Sequence, residues 1–418
     1  MLEYIRKLWK IEDLRKKILY TFGMLILFRL VGCIPAPGID LTRLGMGGTD
    51  LPLLDMMNMM TGGAMSQMTI MAMGISPYIN SSIIMQLLCI ALPVLERMQQ
   101  EEGGREKINR ISRYVTIALA VIQAIGLSNG LGYAKDGLWN NILIGVSMAG
   151  GTALAMWIGE RITEKGIGNG ISLLIFAGIV SNLFNGIING FRTAGSISTY
   201  IGAAALLLLL VILTFVVTFV DLGERRIPLQ IAKQVKGRRV YGGQNTHMTL
   251  KVVAVGVMPL IFAYSFLSFP GTIGQLVAPN SGFTSWCNEH LVNGAWVHLI
   301  LSALLIFAFT FFYSSISFDA KKQAEQLQQQ GATIPGRRGK DIASYLQRTT
   351  NRLNLFAALF LAVLAAIPTL MLKFAETQVP FAASSMLIAV SVSLETMRTI
   401  KGEMAIRGIE SDKDNGFM

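Results

Sequence analysis

The chain has 418 residues, of which 52% are hydrophobic and only 15% are charged. This composition excludes a soluble globular domain and indicates an integral membrane protein. The formal net charge of +11 comes mostly from segments between apolar stretches, where basic residues orient membrane proteins, so it does not indicate nucleic-acid binding.

Ten apolar stretches are long enough to cross a membrane, because a helix needs roughly 20 apolar residues to cross about 30 Å of hydrocarbon. A first half, 18–188, and a second half, 189–401, hold five stretches each, between an N-terminal segment 1–17 and a C-terminal tail 402–418. The predicted transmembrane helices cover approximately residues 18–36, 68–93, 112–130, 140–160, 168–188, 199–221, 252–276, 296–318, 353–372 and 381–400.

Basic residues are strongly biased to one side of these predicted helices. All but five of the 36 Lys and Arg residues lie on the side of the N-terminus. The exceptions are Arg29, inside the first span, and Arg43, Lys135, Arg192 and Lys373 on the opposite side. Because loops rich in Lys and Arg stay in the cytoplasm, both termini are predicted to be cytoplasmic. No cleavable signal peptide is predicted, since the first apolar stretch has full membrane length.

The segment 53–67, between the first two spans, is apolar but too short to cross. It contains Asp55, Asn58, Gly62 and Gly63 among several methionines. One interpretation is a short helix that re-enters the membrane from the outer side, which requires protein or a water-filled cavity around it. The other is an ordinary outer loop in which methionine is a filler.

A short motif is repeated in the second span of each half, GISPYI at 74–79 and GVMPLI at 256–261. A Gly-x-x-Pro inside a membrane helix loosens the backbone hydrogen bonding. Matched interruptions in two halves are typical of transport proteins built from inverted repeats, with the path between the repeats.

Two loops on the N-terminal side, 222–251 and 319–352, are longer than a connection requires. Each contains a Gly-Arg-Arg sequence, at 237–239 and at 336–338. A turn glycine beside paired guanidinium groups suits a protruding tip that docks on carboxylates or phosphates. The alternative is that these arginines only anchor the topology.

The sequence predicts no enzyme, metal site or cofactor. Cys33, Cys89 and Cys287 are scattered and are predicted to be free, packed thiols, and the three histidines are far apart. No HExxH or GxxxxGK[ST] motif occurs. The middles of the spans hold almost no ionisable residues, which argues against an ion-coupled carrier.

Longer motifs then resemble one family over nearly the whole chain and in the same order. They are FRLVGCIPAPGID (28–40), MTGGAMSQ (60–67), MGISPYINSSIIMQLL (73–88), GERITEKGIGNGISLLIFAGIV (159–180), KGRRVYGGQNTH (236–247) and IPGRRG (334–339). The chain resembles the SecY family of bacterial protein-conducting channels. The resemblance implies an all-α membrane fold of ten helices, in two inverted halves that open like a clamshell around an hourglass pore.

The resemblance also implies residue roles. A ring of stiff, apolar isoleucines is expected to form a narrow collar in the pore. The collar residues are Ile75, Ile79, Ile171, Ile175, Ile261 and Ile388. The segment 53–67 is expected to be a plug that closes the outer funnel at rest. The core plug residues are Asp55, Met56, Met57, Asn58, Met59, Met60, Thr61, Gly62, Gly63, Ala64 and Met65.

The resemblance finally implies a function and partners. Unfolded secretory polypeptides would pass through the pore, and apolar segments would leave sideways into lipid between the second, third, seventh and eighth spans. Arg238, Arg239, Arg337 and Arg338 would dock the ribosome and the motor ATPase SecA. Small membrane subunits of the SecE and SecG type would complete the complex in the bacterial inner membrane. A solute transporter or a membrane-embedded enzyme would require coupling or catalytic residues that the sequence does not offer.

Overall fold

The computed structural model describes most of the membrane helices and the loops on their basic side. The described residues are 9, 11–39, 58, 61–101, 103–130, 137–193, 208, 211–231, 234–236, 239–241, 245–256, 258–277, 281–291, 295–336, 340–375 and 383–406.

The elements follow one another as predicted for a helical membrane protein. The helices are α1 (Glu12–Val31), α2 (Ser76–Ala91), α3 (Pro93–Gln100), α4 (Gly104–Gly130), α5 (Leu138–Lys165), α6 (Gly170–Thr193), α7 (Val211–Asp221), α8 (Met258–Val277), α9 (Gly282–His290), α10 (Trp296–Ser317), α11 (Ala320–Gln329), α12 (Lys340–Ala375) and α13 (Ala383–Ile406). The strands are β1 (Glu224–Ile231), β2 (Gln234–Lys236), β3 (Arg239–Tyr241), β4 (Asn245–Lys251) and β5 (Ala332–Thr333).

Each predicted span overlaps one of these helices. Within the described residues, the helices that contain α4, α5, α10 and α12 are long and apolar enough to cross a membrane on their own. A fifth span results if α2 and α3 are counted together, although they are bent by 105°. The bend lies at Leu92–Pro93, where Leu92 has extended backbone angles and Pro93 begins the next helix without an N–H to donate.

The second predicted span, 68–93, becomes helical only at Ser76. Residues 62–75 form a series of turns instead, and the backbone N–H groups of Ala72 and Gly74 bond to carbonyls three residues back. Glycines with positive φ punctuate these turns, at Gly62, Gly63 and Gly74. The segment after α1 therefore folds back on itself before α2 begins.

A central apolar cluster joins the two halves of the chain. It includes Ile79 and Ile175 from the first half and Ile261, Phe309 and Ile388 from the second. The halves meet along two seams. At the first, α8 packs against α2 and α4, and at the second, α13 packs against α6.

The two long loops are not independent, because a small antiparallel sheet connects them. Strand β1 pairs with β4 from Glu224 opposite Lys251 to Gln230 opposite Asn245. The other edge of β1 pairs with β5 of the second loop, which gives the strand order β4-β1-β5. An apolar cluster with Ile227 and Leu346 lies under this sheet. Helix α12 begins at Lys340, ahead of the predicted span 353–372, because its first turns belong to this cluster.

Candidate functional site

The structure brings all six predicted collar isoleucines into the central cluster. They come from four elements: the start of α2, the start of α6, α8 and α13. Five are buried and Ile171 is partly buried against the same cluster; the buried ones are Ile75, Ile79, Ile175, Ile261 and Ile388. These elements are far apart in the sequence and belong to both halves. The arrangement makes one apolar layer from side chains that are stiff at χ1.

The repeated Gly-x-x-Pro motif starts a helix rather than interrupting one, which corrects the sequence interpretation. In both copies the glycine has a positive φ, +51° at Gly74 and +62° at Gly256. In both copies the proline lies in the first turn of the following helix, at Pro77 of α2 and at Pro259 of α8. A first-turn proline costs little, because its missing N–H would have no partner within the helix. The repeat therefore places Ile79 and Ile261 equivalently.

The motif GIGNGIS positions the two isoleucines of α6. The side-chain Oδ1 of Asn169 accepts hydrogen bonds from the backbone N–H groups of Ile171 at 3.1 Å and Ser172 at 3.4 Å. The hydroxyl of Thr163, in the last turn of α5, accepts from the N–H of Gly170 at 2.9 Å. These bonds satisfy donors that a helix start leaves open. Helix α6 is thereby tied to α5 at the level of the collar.

Several described residues of the plug segment are buried, although Ser66 and Gln67 at its end are exposed. Thr61 is 2% exposed, Ala64 5% and Met65 3%. Ala64 belongs to the central cluster together with the isoleucines. Met65 belongs to a neighbouring cluster that also contains Met68. Among the plug residues, 55–57, 59 and 60 lie outside the described residues. The burial of Thr61, Ala64 and Met65 disfavours the interpretation as an ordinary outer loop.

Two polar side chains reach this segment, and the sequence did not predict either contact. The guanidinium Nη1 of Arg29, in the last turn of α1, donates to the carbonyl of Gly62 at 2.9 Å. The amide Nδ2 of Asn182, on α6, donates to the carbonyl of Asn58 at 2.8 Å. The sequence did contain one signal, because Arg29 is a single charge inside a span, where charges usually have a specific partner.

The first seam consists of the helices expected to form a lateral gate. Helix α8 packs against α2 and α4 on one side and against α10 on the other. On the α10 side, the ring of Phe262 lies edge-on to the rings of Phe309 and Tyr313, with centroids 6.1 and 6.0 Å apart. Such edge-to-face pairs are favourable and tolerate small rotations. Along this seam, α8 is in contact with two helices of the first half.

The predicted docking arginines fall largely outside the described residues. Strands β2 and β3 pair with Lys236 opposite Arg239, and the backbone of Arg239 is described but its side chain is not. Arg238, Arg337 and Arg338 lie outside the described residues. Gly336, directly before Arg337, has a φ of +77° at the end of a turn. Both Gly-Arg-Arg sequences are thus next to strands of the joined loops.

The cysteines are free thiols, and no metal centre is found in the described part of the chain. Cys89 and Cys287 are buried, and Cys33 is exposed. Within the described residues, no group of three or more His, Cys, Asp or Glu side chains could hold a metal ion.

Comparison with known proteins identifies the family. The sequence model of the SecY family matches residues 69–397. The protein translocase subunit SecY of Streptomyces coelicolor is 36% identical, with 98% of this chain and 99% of that protein aligned. The chain belongs to the SecY family. The SecY subunit of Escherichia coli K12 is 38% identical over 96% of this chain and 94% of that protein, and the one of Halalkalibacterium halodurans is 39% identical over 97% and 98%.

Solved SecY-type channels share the fold. A structure of a protein-conducting channel matches with a TM-score of 0.70 at 19% identity, over 95% of both chains. Sec61 from a canine ribosome-channel complex matches with a TM-score of 0.66 at 17% identity, over 95% of both chains. The predicted fold class, ten helices and a plug around a central path, is confirmed. As a member of the SecY family, this chain is a multi-pass membrane protein and a protein-conducting channel. The role of this family is transport, which is not an enzymatic role.

Proposed function

We propose that this chain forms the channel through which unfolded secretory polypeptides cross the bacterial inner membrane, and that its six collar isoleucines seal the resting pore. The supporting observation is their convergence: side chains from four elements of both halves meet in one apolar cluster with Ala64 of the plug segment. An apolar constriction excludes water when it is empty. It can also surround a passing chain without holding any side chain by directed bonds.

The first seam serves as the lateral exit for apolar segments. It is the place where α8 of the second half meets α2 and α4 of the first half, so a small rotation of one half opens a path from the pore to lipid. Selection there follows partitioning: Leu-like residues gain free energy in the bilayer centre, whereas Asp, Lys and Arg lose about 2.5 to 3.5 kcal/mol each. A membrane helix leaves sideways, and a secreted segment continues through the pore.

Partners on the basic side supply the energy, since the chain has no phosphate-binding GxxxxGK[ST] sequence. The solved relatives include Sec61 in a canine ribosome-channel complex and an idle yeast Ssh1 complex bound to the 80S ribosome. The joined loops, with arginines 238, 239, 337 and 338, provide the docking surface for the ribosome and for the motor ATPase SecA. Small SecE- and SecG-type subunits complete the complex. The bias of Lys and Arg supports a cytoplasmic location of both termini.

The collar is tested by ion conductance. Ile79→Ser and Ile261→Ser put a hydroxyl where the pore should be driest, so we expect each to raise the resting conductance of the complex in planar bilayers at least several-fold. Ile306→Ser on α10 is the matched control, because Ile306 is equally buried in the central cluster but is not a collar residue. Resting conductance equal to the unsubstituted channel in both collar variants would remove these residues from the seal.

A further inference from the structure

The described residues of the plug segment, 58 and 61–67, are folded around one residue, Asn58. The carbonyl of Asn58 accepts from the backbone N–H of Gly63 at 2.9 Å and from the hydroxyl of Thr61 at 3.1 Å. Its side-chain Oδ1 accepts from the backbone N–H of Ser66 at 2.9 Å. These described residues therefore have hydrogen bonds of their own, which would hold them together if they moved. Contacts to other helices fix their position.

Two helices of the first half hold this part of the plug segment by its backbone. Arg29 of α1 donates to the carbonyl of Gly62 at 2.9 Å, and Asn182 of α6 donates to the carbonyl of Asn58 at 2.8 Å. Both donors are only part-buried, so each can bond to water when the carbonyl moves away. Hydrogen bonds from a charged donor are stronger than neutral ones. The pair of bonds, called here the plug anchor, is therefore reversible but directional.

The close contact between Arg29 and the plug backbone needs a glycine at position 62. Gly62 has a φ of +70°, and a Cβ added there would lie 2.3 Å from Nη1 of Arg29 and 2.7 Å from Cζ. No real side chain could share this space with the guanidinium group. A residue other than glycine at this position would also be strained by the left-handed backbone. The close approach of Arg29 to the plug backbone thus depends on Gly62.

We propose that Arg29 and Asn182 set how stringently the channel selects signal sequences, by anchoring the plug to α1 and α6 in the resting state. The proposal rests on the proposed function, in which the segment around Asn58 is a plug. A signal sequence must supply the free energy that moves the plug, so breaking the anchor lowers what a weak signal sequence has to contribute. Arg29 and Asn182 are positioning residues here, since neither is asked to touch the translocating chain.

The stringency is measured by SecA-driven translocation into proteoliposomes that contain the full complex. Two substrates are compared, one with an intact signal sequence and one with a Leu→Arg change in its apolar core. For Arg29→Gln and for Asn182→Ala we expect the ratio of defective to intact substrate translocated to rise about three- to ten-fold. Ser181→Ala, next to Asn182, and Arg113→Gln, in an exposed ion pair with Glu160, are the matched controls and should leave the ratio unchanged.

A second variant tests the hydrogen bond between Arg29 and Gly62 by changing Gly62 instead of Arg29. Gly62→Ala leaves Arg29 intact but occupies the space of its guanidinium group, so it should raise the ratio as Arg29→Gln does. The double variant Arg29→Gln with Gly62→Ala should be no more permissive than either single variant, because both remove one interaction. Fully additive effects would overturn the proposal that Arg29 acts through Gly62.

A thiol-labelling experiment tests the proposal of the plug anchor separately from the proposal that this segment is a plug. A cysteine replaces the buried Met65 in a background with Cys33→Ser, Cys89→Ser and Cys287→Ser, and a membrane-impermeant reagent is added from outside. With a translocating chain trapped in the pore, labelling should become faster; an unchanged rate would refute the plug. With the pore empty, Arg29→Gln or Asn182→Ala should also speed labelling. If the trapped chain speeds labelling but neither variant changes the resting rate or the substrate ratio, the plug stands and the anchor is wrong.

Discussion

At the scale of single residues, glycine decides how closely the backbones near the collar approach. A Cβ added at Gly170, the first residue of α6, would lie 2.0 Å from the carbonyl oxygen of Gly159 on α5. That distance is far inside van der Waals contact, and its partner is backbone that cannot rotate away. Because Ile171 follows directly, the contact between Gly159 and Gly170 sets the position of the collar at this point.

Gly170→Ala should therefore lower the stability of the channel, by about 1–3 kcal/mol for an overpacked site. Gly150→Ala on α5 is the control, because nothing lies within 4 Å of a Cβ added there and alanine is the better helix former. Thermal unfolding in detergent, followed with a dye that reacts with the buried Cys89 and Cys287 as they become exposed, compares the two in a Cys33→Ser background. Equal midpoints for both variants would contradict the packing argument.

At the scale of elements, the joined loops form one small unit. Ala332 of β5 pairs with Ile231 of β1, and Ile227 and Leu346 are 1% and 0% exposed beneath the sheet. The sequence near 319–352 is mostly polar and by itself predicts a loop. Its scattered apolar residues are buried only because strands of the other loop cover them. The two loops that contain the Gly-Arg-Arg sequences are consequently joined through β1 and β5.

Arg338→Glu should impair SecA-driven secretion at least several-fold while the complex keeps its assembly and topology. A reversed charge repels an acidic partner and removes the bidentate geometry of arginine, whereas many other basic residues still orient the helices. Arg225→Glu, an exposed reversal on β1, is the control within the same unit. Measuring SecA binding and translocation side by side tests this, and normal translocation with Arg338→Glu would leave Arg338 as a topological anchor only.

At the scale of the whole molecule, the two seams differ in the helices and side chains that form them. The first seam is formed by helix faces of α8, α2 and α4 that must separate for lateral release. Beside the second seam, Leu14 of α1 and Ile167, which precedes α6, form a compact apolar cluster with Met404 of α13. Lys17 of α1 also forms an ion pair with Glu403 of α13 at 2.5 Å. We expect the second seam to hold the halves together while the first opens.

Leu14→Ala should therefore destabilise the channel by about 2–5 kcal/mol, as is usual for a cavity at a fully buried site. Leu14 is 0% exposed, whereas Leu19 on the same helix is 53% exposed. Leu19→Ala is thus the same change at an exposed position. Thermal unfolding of both variants with the thiol-reactive dye checks the difference. A midpoint for Leu14→Ala as high as that for Leu19→Ala would mean that this cluster does not hold the halves.

Much of the fold could be predicted from the sequence because lipid allows so few solutions. A chain in the bilayer must satisfy its backbone groups internally, so long apolar stretches become helices wherever they occur, and each predicted span overlaps a helix. The predicted fold class and the channel function are confirmed through the family. The roles of the six isoleucines, the plug residues and the docking arginines remain predictions. These residues were found by their positions in motifs, and a motif gives the position of a residue but does not test its function.

Tertiary structure alone decided which distant polar groups meet. Asn182 and Asn58 are 124 residues apart and Thr333 and Gln230 are 103 apart, and no local pattern encodes such a pair. Tertiary structure also decided the role of Gly74 and Gly256. Their sequence motif suggests a break inside a helix, but in the structure each glycine has a positive φ and lies just before the start of a helix. The apolar lengths and the basic bias of the loops are properties of single segments, so the sequence determined them by itself. The plug anchor, the joined loops and the contents of the two seams depend on how all the helices pack at once.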